Sequence, residues 1–319
     1  MRRAATYLFL FGLIAVFVLA PTAQAWGCKG HQTVAFIAEM HLTPEARQWV
    51  QKLLSENPID PKLNRYCGGA MRDAMADVST WADDVRGERK NGPWHYIDIP
   101  RGVQRGRLEP YCLKEGCVTK AISDQLAVLK DKNADGAKRA EALRYIIHFV
   151  GDLHQPLHTI TNADEGGNCL PVKYLRRNPH EHNHSFAPNL HSIWDTAIPE
   201  RDAEGADSAE YADTLNASYA ADIENWQKAG VHVDDWVWEG YDFAENVVYG
   251  NLAPQIAVEP NVAVHTCSDD NKIGERMMHL NIVAGEMYQE KAAPVAEKRI
   301  VEGGVRLAMI LNDAAKAAQ

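Results

Sequence analysis

The chain has 319 residues, of which 33 are basic and 43 acidic, so its formal charge is −10 at neutral pH. A protein this acidic repels nucleic acid unless bound cations or a local basic surface reverse the field. The composition therefore argues against a tight, sequence-independent grip on long duplexes, which depends on many contacts from Lys and Arg to phosphates.

Residues 1–25 have the layout of a cleavable secretory leader. A basic start with two arginines precedes an apolar run over residues 7–20 and an Ala-Gln-Ala end at residues 23–25. This pattern predicts cleavage between Ala25 and Trp26 and a secreted or periplasmic protein, whose formal charge falls to −12 because both arginines leave. The run is short for a membrane span and no later segment replaces it, so we expect no membrane anchor.

The remaining chain, residues 26–319, contains no Ser/Gly-rich linker, repeat or low-complexity tract, and we expect it to form a single domain. Its cysteines are even in number, which favours disulfides in an exported protein: Cys28, Cys67, Cys112, Cys117, Cys169 and Cys267. Cys112 and Cys117 can close a small loop, while the other pairings stay open. No CxxC pair occurs, which argues against a thiolate metal site.

Apolar residues three or four apart predict helices along most of this region. In chain order the predicted helical segments are 33–42, 117–131, 138–154, 210–227, 234–252, 273–292 and 305–318. Alternating patterns occur only at 94–100 and 170–175, enough for a short β-hairpin at most. The sequence therefore predicts a mainly α fold with long loops around 56–75, 86–118 and 161–190.

The predicted helix 138–154 carries a histidine and a carboxylate with metal-chelating spacing. His148 and Asp152 are four residues apart and so lie one above the other on one helix face. Pro156 should end or kink this helix, which lets His158 point in a different direction. His154 lies on another face of the helix, and we expect it to be a buried, hydrogen-bonded histidine.

A second pair, His191 and Asp195, repeats the same spacing. One such pair is most often an ordinary hydrogen-bonded pair, but this chain holds a larger set of ligand types suited to zinc: Asp83, His95, His148, Asp152, His158, His191 and Asp195. Imidazoles and carboxylates without thiolates are typical of catalytic zinc rather than of a closed structural site. The sequence therefore favours a metal hydrolase.

Several segments, taken in order, resemble the single-strand-specific zinc nucleases of fungi, plants and bacteria, the nuclease S1/P1 family. They are WGCKGH at 26–31, WAD at 81–83 followed by Arg86, WHYID at 94–98, HFVGDLHQPLH at 148–158, GGN at 166–168 and NLHSIWD at 189–195. The resemblance implies a mainly α, phospholipase C/nuclease-like fold that holds three zinc ions in a cleft.

Carried onto this chain, the resemblance implies three groups of zinc ligands. One zinc would be held by Asp83, His95, His148 and Asp152. Its neighbour would be held by the amine and carbonyl of Trp26, by His31 and by a bridging Asp152, and the third by His158, His191 and Asp195. A free amine at Trp26 exists only after the leader is removed. Three zinc ions would also make the local field positive at a phosphate.

The resemblance further implies an exported endonuclease that hydrolyses RNA and single-stranded DNA to products with 5′-phosphates and acts as a 3′-nucleotidase on 3′-mononucleotides. Two of the zinc ions would share an activated water. Asp83 would orient that water, and Arg86 would neutralise charge on the transition state. We expect the protein to be a monomer.

A base pocket is implied at WHYID and GGN. Tyr96 offers a stacking face and Asp98 an acceptor for a base edge, with Gly167 and Asn168 as the other wall. An unpaired base can enter such a pocket, whereas a paired base must first be extruded. The family usually has Phe where Tyr96 stands, which preserves stacking but leaves the base preference open.

Two alternatives remain from sequence. A zinc phospholipase C has a similar fold and metal cluster, and a non-catalytic zinc-binding protein would take up metal without cleaving phosphodiesters. Two other features have ordinary explanations: Trp236 and Trp238 fit a helix-packing seam, and the histidines of PHEHNH are predicted to lie in a solvated loop that overhangs the cleft: His180, His182 and His184.

Overall fold

The computed structural model describes residues 26–67, 73–182, 185–252, 256 and 281–318, and these residues are mainly helical, as predicted. The predicted leader lies outside the described residues. The helices are α1 (Cys28–His41), α2 (Pro44–Glu56), α3 (Ala74–Val78), α4 (Trp81–Asp84), α5 (Arg86–Arg89), α6 (Val118–Lys130), α7 (Gly136–His154), α8 (Leu190–Ser192), α9 (Ile198–Asp202), α10 (Ser208–Ser218), α11 (Ala220–Ala229), α12 (Val233–Phe243) and the C-terminal helix (Glu286–Ala318).

Local capping explains where the main helices begin and end. Asp135 accepts a hydrogen bond from the backbone N–H of Ala137 at the start of α7, and the helix stops at His154, just before Gln155 and Pro156. The predicted break at Pro156 is thus confirmed. Helix α2 was not predicted, although its start is well marked by the Thr43 cap and by proline at the first helical position.

Three predicted helical segments differ in detail. Segment 210–227 is divided into α10 and α11 at Tyr219, and segment 234–252 continues past α12 as a π-helical turn, Ala244–Tyr249. The prediction of a helix over 273–292 is wrong at 281–285, where Val283–Ala284 is a strand, and residues 273–280 lie outside the described part. The C-terminal helix then runs without interruption through 305–318.

Strands are short in the described part of the chain. The strand β1 (Lys173–Tyr174) pairs in parallel with β4 (Val283–Ala284), while β2 (His180–His182) and β3 (Ser185–Ala187) form an antiparallel hairpin. The hairpin therefore lies within the predicted loop 161–190 rather than at 94–100. His180 is exposed there, and His184 lies outside the described residues.

The core forms where α1, α7 and the C-terminal helix pack together, with α6 against α7 and α10 against α1. The two tryptophans expected in a packing seam, Trp236 and Trp238, are both buried. Trp194 is fully buried and donates its indole N–H to the hydroxyl oxygen of Tyr288 at 2.8 Å. This packing fixes α1 and α7 side by side, which positions the site described below.

Two disulfides with both cysteines among the described residues join loops to this core. Cys112 pairs with Cys117, as predicted, and Cys28 at the start of α1 pairs with Cys67. Cys169 is disulfide-bonded as well. The second bond attaches the first turn of α1, and with it the segment at Trp26, to the loop that follows α2. Within the described ranges, no helix has the length and apolar character that a bilayer span requires.

Candidate metal centre

Helix α7 presents His148 and Asp152 on one buried face. His148 Nε2 lies 3.2 Å from Asp152 Oδ2, and both side chains are fully shielded from solvent. This is the contact that the four-residue spacing predicts. The pair lies at the C-terminal end of α7, close to the turn at Pro156, so residues beyond that turn can reach the same cavity.

Helix α1 brings His31 against this pair. The His31 and His148 rings stack with their centroids 4.1 Å apart, and His31 Nε2 lies 3.3 Å from Asp152 Oδ1. Gly151 makes this approach possible, because a Cβ atom there would lie 2.8 Å from His31 Nδ1. The missing side chain of Gly151 therefore provides the space in which the His31 ring lies.

Two further side chains complete the first group of ligand types. His95, at the end of a 3-10 turn (Gly92–His95), places Nδ1 3.1 Å from His148 Nε2 and 3.0 Å from Asp152 Oδ2. Asp83 on α4 lies 3.5 Å from His95 Nδ1 and 3.7 Å from His148 Nε2. Ligand atoms bonded to one tetrahedral zinc at the usual distances are about 3.3 Å apart. Asp83, His95, His148 and Asp152 therefore have the spacing of ligands on one zinc ion.

The two carboxylate oxygens of Asp152 face different neighbours. Oδ2 faces His95 and His148, whereas Oδ1 faces His31. A carboxylate with this orientation can ligate one metal ion through each oxygen. The geometry therefore suits two neighbouring ions joined by Asp152.

A second group combines the turn after α7 with the segment around α8. His158 ends the 3-10 turn Pro156–His158, and its ligand atom lies within 4.8 Å of those of His191 and Asp195. His191 Nε2 and Asp195 Oδ2 are 3.3 Å apart. The four-residue spacing of this pair is that of an α-helical turn, but Ile193–Ala197 is π-helical. The pair nevertheless keeps the separation of two ligands on one ion.

The second nitrogen of three of these imidazoles is held by a backbone carbonyl. His148 Nδ1 donates to Ser79 at 2.8 Å, His158 Nδ1 to His95 at 2.7 Å, and His191 Nδ1 to Gly166 at 2.7 Å. Each bond fixes the tautomer whose Nε2 lone pair faces the group, as in known metal sites.

Several other buried atoms also fit a bound cation. Several atoms of these groups lack a hydrogen-bond partner within the described chain, among them His31 Nε2, Asp83 Oδ1, Asp152 Oδ1 and His158 Nε2. Buried polar atoms are almost always satisfied, so such a concentration needs an explanation. A metal ion bound by these atoms would satisfy them, and the residues present therefore fit zinc.

Burial also sets the charge of the imidazoles. It lowers the pKa of His158 to about 3 and that of His191 to about 4, and it lowers the pKa of His31 and His95 as well. These rings are neutral at ordinary pH, which is the form that binds metal. His148 differs: burial lowers its pKa, but the charges of Asp152 and Asp83 outweigh this and raise it to about 9.

Trp26 directly precedes a residue that contacts the second ligand group. Its side chain is fully buried, and the next residue, Gly27, donates its N–H to the carbonyl of Asp195 at 2.7 Å. The Cys28–Cys67 disulfide follows directly. The first residues after the predicted cleavage point are therefore attached to the segment that carries the second ligand group.

Arg86 lies near the second ligand group and near Tyr96, one of the residues expected in a base pocket. Its positive charge acts on the pKa of His191, Asp195 and Tyr96. Burial, followed by the charges of Asp164 and Glu165, raises the pKa of Asp98 to about 7. Tyr96 and Asp98 are both half-buried.

The GGN segment supports His191 through its backbone. Gly167 accepts the backbone N–H of His191 at 3.3 Å, and Asn168 donates its amide to the carbonyl of Glu165 at 2.8 Å. Gly166 adopts φ +59°, and a Cβ there would lie 2.5 Å from the carbonyl of Leu157, which excludes any other residue.

Sequence reasoning missed the residues that support the ligands. Ser79 and Gly166 hold imidazoles through their carbonyls, Gly151 makes room for a ring, and Gln155 hydrogen-bonds a carboxylate. Gly151 directly precedes Asp152, and Gly166 and Gln155 lie within the segments that carry the family resemblance, but Ser79 carries no such signal in the sequence. The prediction for His154 is confirmed: it is buried, and its Nδ1 donates to the carbonyl of Val150 at 2.7 Å.

Comparisons with known proteins identify the family of this chain. The family model described as S1/P1 Nuclease matches residues 26–316. Nuclease S1 of Aspergillus oryzae is 29% identical over 93% of this chain and 94% of its own length, and Nuclease P1 of Penicillium citrinum is 27% identical over 90% and 97%. Endonuclease 4 of Arabidopsis thaliana is 29% identical over 91% and 89%. The chain therefore belongs to the S1/P1 nuclease family of enzymes that hydrolyse nucleic acids.

Proposed function

We propose that this protein is a zinc-dependent endonuclease that cleaves RNA and single-stranded DNA to products with 5′-phosphates and removes phosphate from 3′-mononucleotides. The observation that carries the proposal is the position of Asp152, whose two oxygens face separate groups of neutral or carboxylate-paired imidazoles. With the group at His158 and His191, this gives donors for three ions. Two metal ions that share a ligand are typical of phosphodiester hydrolysis.

The proposed zinc ligands come from the two ligand groups and from the mature amino terminus. The first ion would be held by Asp83, His95, His148 and Asp152, the second by Trp26, His31 and Asp152, and the third by His158, His191 and Asp195. Bound zinc would supply acidification of water and polarisation of the phosphodiester. The carboxylates of Asp83, Asp152 and Asp195 would also reduce the repulsion between the three zinc ions.

Two charged residues have roles of their own in the proposal. Asp83 is nine-tenths buried beside His95 and His148, where the carboxylate oxygen that does not hold zinc would accept a hydrogen bond from the attacking water and orient it. Arg86 lies near the second ligand group, where its guanidinium would bind a phosphate oxygen and stabilise charge that develops on it.

The pocket beside Arg86 would give the preference for single strands. The half-buried Tyr96 ring would stack on an unpaired base, Asp98 would accept a base N–H, and Gly167 and Asn168 would border the base. A base inside a duplex reaches such a pocket only after extrusion, which costs a few kcal/mol.

The second zinc site in the proposal depends on processing. A free amine exists at Trp26 only when the chain is cleaved after Ala25, and a protonated amine or a peptide nitrogen is a poor zinc donor. We therefore propose a secreted or periplasmic, monomeric protein whose residues 26–319 form one domain, and whose second site is complete only after leader removal.

The proposal is tested with the mature protein on a panel of substrates. Single-stranded RNA, single-stranded DNA, duplex DNA, a 3′-mononucleotide and phosphatidylcholine vesicles are compared at equal enzyme concentration. We expect turnover on the two single strands and on the mononucleotide. Hydrolysis of the lipid alone would support a zinc phospholipase C instead, and zinc uptake without any turnover would support a binding protein.

A further inference from the structure

Gln155 connects two parts of the second ligand group that are far apart in the chain. Its side chain is fully buried, and its Nε2 donates to Asp195 Oδ1 at 2.7 Å. Its Oε1 accepts the backbone N–H of Leu157 at 2.6 Å, which caps the 3-10 turn that ends at His158. The Gln155 amide therefore donates to the carboxylate of Asp195 and also stabilises the 3-10 turn that carries His158.

Both ends of this amide are determined by their partners. A reversed amide would place two donors together at Leu157 and two acceptors together at Asp195, and either contact is repulsive in a buried site. The backbone adds a third connection, because the N–H of His158 donates to the carbonyl of Gln155 at 3.0 Å. Gln155 is thus fixed in position and has a single usable orientation.

The bond to Gln155 also selects the ligand atom of the carboxylate. It occupies Asp195 Oδ1, whereas Oδ2 remains 3.3 Å from His191 Nε2, the separation of two ligands on one ion. Without the amide, rotation about the terminal bond of Asp195 would exchange the two oxygens freely. The partners of ligating carboxylates commonly set metal affinity in this way.

We propose that Gln155 is a positioning residue that sets metal occupancy at the group formed by His158, His191 and Asp195. The inference rests on the proposed function, since it assumes that this group binds zinc. It assigns Gln155 no contact with substrate. Loss of the amide should weaken zinc binding at this group by about 10- to 100-fold. It should leave the two ions that share Asp152 in place.

The test uses Gln155→Met, which keeps the length and removes both polar ends, and Gln155→Glu, which keeps the shape and removes the donor. Gln289→Met is the matched control, because Gln289 is also buried and its Oε1 accepts the Tyr174 hydroxyl at 2.5 Å, away from the ligand groups. Zinc per chain is counted after dialysis at graded chelator concentrations. Hydrolysis of single-stranded RNA is measured at the same free zinc concentrations.

We expect both Gln155 variants to lose one zinc ion of three at a chelator concentration that leaves the wild type and Gln289→Met fully loaded. Their turnover should recover as free zinc is raised, which a purely structural defect would not do. Wild-type zinc affinity in both variants, or an equal loss from all groups, would overturn the inference. A wild type that binds no zinc would instead refute the proposed function and this inference with it.

Discussion

Gly151→Ala tests whether the His31 ring must lie where the structure has it. The added Cβ would be 2.8 Å from His31 Nδ1, and ordinary contacts begin at 3.4 Å, so the ring must move by about 0.6 Å. Zinc ligands tolerate displacements of about 0.2 Å. We therefore expect the zinc ion held by His31 and Asp152 to bind about 10- to 100-fold more weakly. RNA hydrolysis at low free zinc should fall by at least that factor.

The control is Gly303→Ala in the C-terminal helix, where a Cβ would make an ordinary contact, 3.4 Å from the His154 ring. Alanine is favoured over glycine inside a helix by about 1 kcal/mol, so this variant should keep its zinc and unfold at an equal or higher temperature. Zinc titration, RNA hydrolysis and thermal unfolding are measured for both variants. Wild-type zinc affinity and turnover in Gly151→Ala would refute the argument that this glycine provides the space for a ligand.

Three other predictions concern processing and charge. A protein with one extra residue ahead of Trp26 should lose most RNA hydrolysis, and full activity in a sample verified as uncleaved by mass spectrometry would count against the amine as a ligand. Burial, then Asp202, raises the pKa of Glu297 to about 7; stability should therefore fall as pH rises from about 4.5 to 7, and Glu297→Gln should raise the melting temperature at pH 8 but not at pH 4. Asp98 loses its charge below its pKa of about 7, so KM for a 3′-mononucleotide should be higher at pH 6 than at pH 8, and Asp98→Asn should leave only the part of this change that comes from the substrate phosphate.

The part of the site that lies on one helix was predictable from spacing. His148 and Asp152 occupy consecutive turns of α7, and the proline at 156 ends that helix, so His158 follows a new direction. The position of His31 depends on how α1 packs against α7, which no local periodicity encodes. His31 was predicted as a ligand from the resemblance to a family and not from helical periodicity.

The errors have physical causes as well. Val283 and Ala284 belong to a segment whose apolar residues have helical spacing, but parallel pairing with β1 makes these two residues a strand. Helix α2 was not predicted, although Thr43 and Pro44 mark its start and its buried residues have helical spacing: Ala46, Val50, Leu53 and Leu54. Gln155 is a neutral residue between two ligand types, and only the three-dimensional contact with Asp195 reveals its partner.

The most direct test of the proposed function counts zinc and measures release of acid-soluble nucleotide from single-stranded RNA on the same sample of protein that begins at Trp26. A chelator-treated sample, with and without restored zinc, is the control. We expect three zinc ions per chain and turnover on RNA. Turnover should be lost on chelation and should recover when zinc is restored. Turnover that survives complete removal of zinc, or three bound zinc ions without cleavage of RNA or single-stranded DNA, would contradict the proposed function.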